Sequence, residues 1–312
     1  MSPRRPPGSP SPRRAPSTAR SSGSAARACW GRDPVPSLIL VLARGAAMSP
    51  FKRPGRPDAV LPPDRATGPA ARPAPGPLTA YRRICGFTEP DALPVTYPHV
   101  LAFPLAMRLM TRRRFPLPVT GLVHTWIEIT AHRTLHPADA LELTVYADGL
   151  TPHRRGTEVT VVTEARLSGE LVWESRSGYL SRHATTGTSP APAAPGPALP
   201  AVAEWQLPAD LGRRYGAASG DRNPIHLYPL TARLFGFPRA IAHGMWTVAH
   251  CLAQTPQPHL IHTVRADFRA PVLLPGTVTY ACDGPGFQLR DGAGDDARVH
   301  LTGTAAARSA RS

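Results

Sequence analysis

Asp221 and His226 stand five residues apart with Asn223 and Pro224 between them. An unbroken helix would carry residues so spaced off a common face. Pro224 denies Asn223 the helical region and offers no backbone donor, so a turn is predicted here. A turn can bring the acid and the imidazole onto one small volume. There they could hold a water molecule and move protons to and from it, which is general acid–base chemistry. Farther along, Ile241-Ala242-His243-Gly244-Met245 leads into an apolar run through Cys251 and Leu252 that suits a buried helix. Gly244 would open that helix, where an unpaired N–H and the positive end of the helix dipole face the site. With no side chain in the way, a ligand can approach that N–H closely, as an oxyanion hole requires.

Each of these residues also has a plainer role. Asp221 could close a Gly-Asp turn, His226 could be a satisfied loop histidine, and Asn223 suits orienting the turn better than reacting. His243 reads as mainly structural, because His99 recurs at the matching place in a half that lacks the acid. Cys29, Cys85, Cys251 and Cys282 form no CxxC pair and no zinc-like spacing, so scattered cytosolic thiols are expected. The chemistry needs no metal and no cofactor, and none is expected.

The elements that must position these residues come in two copies. Leu122-Val123-His124-Thr125 matches Leu260-Ile261-His262-Thr263 at an offset of 138, which also sets Leu135 and Pro137 on Leu273 and Pro275. An offset of 134 lays Tyr81 to Phe87 over Tyr215 to Asp221, and 144 lays Pro98-His99-Val100-Leu101 over Ala242-His243-Gly244-Met245. The matches keep their order, as a duplicated unit with variable loops would. Each half then reads as a lead-in, a helix, a central apolar helix and a run of strands. The strands are predicted at 121–131, 140–147, 158–167 and 170–180, and again at 261–270, 277–283, 286–290 and 297–306, with turn residues between. A short helix is predicted from Pro229 to Phe235, stopped by Gly236. An antiparallel sheet wrapped around one long helix follows for each half. Phe87 stands where Asp221 would be and Val100 where Gly244 would be, so the first half is expected to be inert.

Residues 1–77 hold 13 of the 36 basic residues, 17 of the 39 prolines and only Asp33, Asp58 and Asp64 as acids. This stretch is predicted to be a disordered extension, unable to bury enough apolar area to offset chain entropy. Its arginines come without aromatic platforms, which argues against nucleic acid as a partner, and Met48 is a plausible alternative start. The expected organisation is 1–77 extension, 78–183 non-catalytic domain, 184–200 Pro/Ala-rich linker and 201–312 catalytic domain. Ser37 to Ala43 is too short and too late for a secretion signal, and no run reaches the length of a membrane span. A cytoplasmic protein that neither spans nor binds membranes is expected.

The patterns S-G-D-x-N-P-I-H, A-x-x-x-G-F and I-A-H-G-M, in this order, resemble the MaoC-like (R)-specific enoyl-thioester hydratases and 3-hydroxyacyl-thioester dehydratases. LPVTYPHVLAFPLAMRLM and FPLPVTGLVH in the first half are similar to the two-domain members of that family from actinobacteria. The resemblance spans residues 78 to 306. It implies an α+β double hot-dog fold and reversible hydration of a trans-2-enoyl thioester, carried on coenzyme A or acyl-carrier protein, to the (R)-3-hydroxyacyl thioester. It implies Asp221, His226 and Gly244 as catalytic, with Ser219, Asn223, His243 and Met245 on the substrate side. It further implies that the silent half makes room for a long or bulky acyl tail, and that the chain is a monomeric pseudo-dimer or a homodimer. Tyr228 departs from the single-domain relatives, which have Asp there, and forfeits a helix cap worth about 1 kcal/mol. Arg265 and Arg269 could meet carrier phosphates or simply face water. A non-catalytic acyl-thioester-binding module and a hot-dog thioesterase are the alternatives.

Overall fold

Two helices in this chain are apolar on nearly every face, and each is stable only where a sheet encloses it. In a computed structural model, the described residues are 60–185, 196–294 and 296–308, with Met1, Lys52 and Ala194. The chain divides into Met1–Pro34 and Val35–Ser312, and the fold described is that of the second unit. Its first half contains strand β1 (Arg65–Thr67), helices α1 (Pro75–Cys85) and α2 (Tyr97–Met110), and strands β2 (Val123–Ala131), β3 (Glu142–His153), β4 (Gly156–Leu167) and β5 (Glu170–Arg182). Its second half contains β6 (Ala201–Leu207), α3 (Leu211–Ser219), α4 (Pro224–Leu227), α5 (Pro229–Arg233), α6 (Gly244–Leu252), β7 (Ile261–Phe268), β8 (Gly276–Asp283), β9 (Gly286–Arg290) and β10 (Val299–Ala307). The enclosed helices are α2, which buries residues from Tyr97 to Met110, and α6, which buries Met245 through Ala249, Cys251 and Leu252.

The strands run β1-β3-β4-β5-β2-β7-β10-β9-β8-β6, and every pairing is antiparallel. Read outward from the centre, the second half repeats the strand order of the first. This is the double hot-dog plan, with one difference from the expectation of two separate sheets. Here β2 pairs with β7 and fuses them into one. At that seam Ile127 faces Ala266 and Glu128 faces Arg265. The repeat offset of 138 carries Ile127 onto Arg265 and Glu128 onto Ala266, so the two pairs exchange, as a pseudo-two-fold axis requires. Tight turns follow the chain's punctuation. Ser168-Gly169, both at positive φ, close the β4–β5 hairpin, and Gly284-Pro285 closes β8–β9.

The halves are also tied through their helices. Tyr81 of α1 and Tyr215 of α3, equivalent positions in the repeat, approach to a ring separation of 6.0 Å. Trp246 Nε1 donates to the Ile84 carbonyl at 2.8 Å, and His250 Nδ1 donates to the Cys85 carbonyl at 2.8 Å.

Three expectations change. Within the stretch predicted to be a disordered extension, Arg65–Thr67 pairs with β3, Ala66 is 3% exposed, and α1 begins at Pro75. Composition misleads there because a sheet edge supplies backbone partners that a proline-rich segment cannot supply for itself. Residues 2–51 and 53–59 of the extension, and 186–193 and 195 of the linker, lie outside the described residues. The turn predicted at Asn223-Pro224 closes into the single-turn helix α4, and the helix from Pro229 ends at Arg233.

Replacing Trp246 by Phe should lower the unfolding free energy by about 1–3 kcal/mol, because the Ile84 carbonyl loses its buried donor. Chemical denaturation should show one earlier transition. An unchanged midpoint would mean that this bond does not tie the halves together.

Candidate active site

The site begins where α3 ends. Gly220, in the left-handed region at φ 80°, donates its N–H to the Gly216 carbonyl and turns the chain back on itself. Three side-chain bonds then set the path. Ser219 Oγ accepts from the Asp221 N–H at 3.2 Å, Asp221 Oδ1 accepts from the Asn223 N–H at 3.1 Å, and Asn223 Oδ1 accepts from the Ile225 N–H at 3.3 Å. The last of these caps α4, with Pro224 as its first residue. Ser219 and Asn223 thus each accept a backbone N–H and shape the turn.

Two glycines let this loop lie flat on α3. A Cβ at Gly212 would collide with the His226 backbone carbonyl, and one at Gly216 would stand 2.7 Å from the Asp221 carbonyl oxygen. The four-residue spacing puts both on one helical face. That pattern, two glycines inside a helix, was the available signal for a close backbone approach, and the motif reading passed over it.

His226 on α4 points inward and is 8% exposed. Its Nδ1 lies 2.8 Å from the Ile241 carbonyl. A carbonyl only accepts, so Nδ1 carries the proton and Nε2 of the neutral ring presents a lone pair. The Ile241 segment is itself fixed from both sides: the Ile241 N–H reaches the Ile225 carbonyl and the Ala242 N–H reaches the Val272 carbonyl. His243 stacks on His226 with 3.7 Å between ring centres. Its Nε2 donates to the Asp221 backbone carbonyl at 3.0 Å and stands 3.8 Å from the Asp221 carboxylate. Tyr215 packs on its other side. His243 thus braces both members of the pair. Met245, in the first turn of α6, is buried against the core.

Nitrogen and carboxylate atoms of Asp221, His226 and His243 all lie within 4.8 Å of one another. Such a trio could hold a cation. However, the two imidazoles lie face to face at 25° and one nitrogen of each is bonded to a backbone carbonyl. That leaves one ring nitrogen of each histidine without a backbone partner. The gap between Asp221 and His226 suits a water bonded to both.

Burial sets the protonation states. It pushes the Asp221 carboxyl above its ordinary 3.8, while the His226 ring and the Asn223 N–H pull it back down. It pushes His226 below 6.5, against the pull of Asp221 and of the Ile241 bond. His243 is driven well down by burial and by the neighbouring His226. A neutral imidazole beside a carboxyl that protonates above its usual range is a pair matched for proton exchange near neutrality.

Gly244 is the first residue of α6, and among the described residues no acceptor reaches its N–H. The Phe268 ring lies over it, 2.8 Å from where a Cβ would be. Behind Phe268 come residues of the first half that were not read as part of the site. His124 packs on Phe268 at 4.7 Å and on Tyr179 at 4.6 Å, and the charge of Asp221 helps push the Tyr179 phenol up, after burial. A register shift between His124 and Trp126 sends these neighbours to opposite faces of the sheet. The half without an acid–base pair is therefore not a bystander: it supplies the wall behind Gly244.

Arg265 lies on the other face. It bonds Glu128 and, at 2.9 Å, Asp267, and its guanidinium sits over Trp126. It borders a hollow of about 260 Å³ that does not touch the Asp221–His226 pair, so it is not placed to meet a carrier phosphate at the site.

Comparison with known proteins bears on the family and the fold. A family model described as MaoC like domain matches residues 191–290. The chain is 38% identical over 220 residues to 3-hydroxyacyl-thioester dehydratase X of Mycobacterium tuberculosis, covering 68% of this chain and 78% of that protein. A crystal structure of HtdX of M. tuberculosis superposes with a TM-score of 0.68 at 32% identity, covering 78% of this chain and all of that one. A MaoC-like dehydratase from Phytophthora capsici, at 18% identity, shares the fold with a TM-score of 0.64 over 82% of this chain and all of its own.

Alanine forms helices better than glycine by about 1 kcal/mol, yet Gly212→Ala should destabilise the protein by about 1–3 kcal/mol, because the methyl group displaces α4. Denaturant unfolding that shows a gain in stability would contradict the close approach. Burial also holds His99, His124 and His243 below 6.5, His99 at about 4. The unfolded chain takes up these protons first, so stability should fall as pH drops from 6.5 toward 4, the single Asp221 acting in the opposite sense. A flat stability profile across that window would contradict neutral buried rings.

Proposed function

The chain belongs to the MaoC-like dehydratase family and is an acyl-thioester dehydratase/hydratase, and we propose that Asp221, His226 and the Gly244 N–H carry its chemistry. The observation that supports this assignment is the placement of an Asp221 carboxylate oxygen and a ring nitrogen of His226 within 4.8 Å of each other, close to an unclaimed helix-start amide.

In the hydration direction the Asp221 carboxylate and His226 Nε2 accept the two hydrogens of one water and leave an oxygen lone pair for C3 of a trans-2-enoyl thioester. The thioester oxygen takes the Gly244 N–H, which draws the C2–C3 π electrons toward C2 and the carbonyl. The water oxygen bonds C3, one of its protons passes to the pair, and a proton returns to C2. The product is the (R)-3-hydroxyacyl thioester, and no charge is left behind. Dehydration is the same path reversed. His243 keeps the pair aligned, and Phe268, His124 and Tyr179 form the wall against which the acyl part lies. The protein's place is in fatty-acid metabolism. Among the described residues no helix is long and apolar enough to cross a membrane.

Hydration of crotonyl-CoA, followed as loss of enoyl absorbance, tests the roles. Asp221→Asn and His226→Ala should each reduce kcat by about 10²–10⁴-fold, the size of a lost proton-transfer group, with circular dichroism unchanged. Full turnover in either variant would remove that residue from the mechanism, and release of free coenzyme A would point to a thioesterase. The pH profile of kcat/KM should carry an acid limb between the ordinary values of 3.8 and 6.5, because burial moves Asp221 up and His226 down toward each other. A limb above 6.5 would contradict a buried neutral His226.

A further inference from the structure

The segment that points His226 inward presents a different character to solvent. On its outer side Leu230 and Leu234 are 73% and 79% exposed, Tyr228 53% and Phe235 41%. Four of the seven exposed large hydrophobic residues of the described chain thus fall within eight positions, and a cluster of this kind marks a contact surface more often than chance exposure does. It is framed by Arg213, Arg214, Arg222, Arg233 and Arg239, all exposed. Between residues 211 and 239 the one acid is Asp221, whose side chain is 27% exposed and belongs to the site. Arg213 lies over the Tyr228 ring and bonds the Leu227 carbonyl, Arg233 bonds the Pro238 carbonyl, and Arg239 bonds the Pro275 carbonyl. Arg213, Arg233 and Arg239 are thus held to the backbone by neutral acceptors, and although Arg214 pairs with Asp210 at 4.0 Å, the face keeps an excess of positive charge.

We propose that this face, Tyr228 to Phe235 with its surrounding arginines, docks a small acidic protein that carries the acyl chain as a thioester on a phosphopantetheine arm. The proposal rests on the dehydratase reading and names the carrier for it. Charge complementarity selects the occupant. A second copy of this chain meeting the face across a two-fold axis would set arginines against arginines. Phosphates of free coenzyme A would use the arginines and leave the exposed leucines without purpose. An acidic helical surface with apolar side chains at its centre satisfies both, in the usual arrangement of a hydrophobic centre and a polar rim. Position agrees as well: α4 and α5 are consecutive, so a carrier resting on the outer side of this hairpin stands next to His226, where its arm must enter.

Two surface variants test the proposal, Leu230→Asp with Leu234→Asp, and Arg233→Glu with Arg239→Glu. Titration calorimetry with holo-acyl-carrier protein should show binding to the intact chain that weakens as salt rises, and a loss of tenfold or more in each variant. With a crotonyl group on the carrier, KM should rise tenfold or more at unchanged kcat, while turnover of crotonyl-CoA stays at the level of the intact chain. No carrier binding by the intact chain would overturn the proposal. So would equal losses on both substrates, or binding to anionic phospholipid vesicles, without carrier binding, that the same variants abolish. Carrier binding without turnover of either thioester would leave the docking face standing and overturn the catalytic assignment instead.

Discussion

One hydrogen bond organises the candidate site: the Nδ1–H of His226 on the Ile241 carbonyl. It fixes which nitrogen is bare and where that nitrogen points, and buried imidazoles act as bases only when both are settled. The requirement propagates outward. Ile241 must be held, and it is, by the Ile225 carbonyl on one side and a bridge to Leu273 on the other. The α4 helix must lie against α3, which Gly212 and Gly216 permit. His243 must lie flat beneath His226 while holding the Asp221 backbone. Each of these constraints is a small local matter, and together they leave the acid and the base little freedom to part.

The duplicated fold supplies the rigidity and then uses its two copies differently. The strand order repeats about the β2–β7 seam, and α1 and α3 meet through Tyr81 and Tyr215. The proposed acid–base pair lies in one copy. In the other, Phe87 fills the place of the acid with apolar volume at 7% exposure. Yet the first half still shapes the site, because the seam brings His124 and Tyr179 to Phe268 and so to the start of α6. The first half thus contributes packing beside the start of α6 and no acid–base pair.

Much of this was legible in the sequence. The eight strands predicted from alternation and turn residues lie within a few positions of those observed, because hydrophobic period and punctuation are local signals. Asp221, His226 and Gly244 stood out because three motifs in order are tied to one another, and the fold brings Asp221 and His226 together. What stayed hidden depended on tertiary context. Arg65–Thr67 reads as part of a proline-rich tail, and only the open edge of β3 makes it a strand. The turn-shaping bonds of Ser219 and Asn223 depend on backbone donors that only the folded loop brings to them. Tyr179 carries no motif, and its nearness to Asp221 arises from a sheet that closes across two halves. Arg265 of β7 looked available for phosphate, but Glu128 of the opposite half holds it.

The claim at the centre of this account is that His226 is a neutral imidazole with its proton on Nδ1. Nitrogen-15 spectra of the histidine-labelled protein, assigned by comparison with His226→Ala, read this directly. At pH 7 the account predicts a protonated Nδ1 and a bare Nε2 for His226, persisting as pH is lowered past 6.5. A proton on Nε2, or an imidazolium at pH 7, would contradict it.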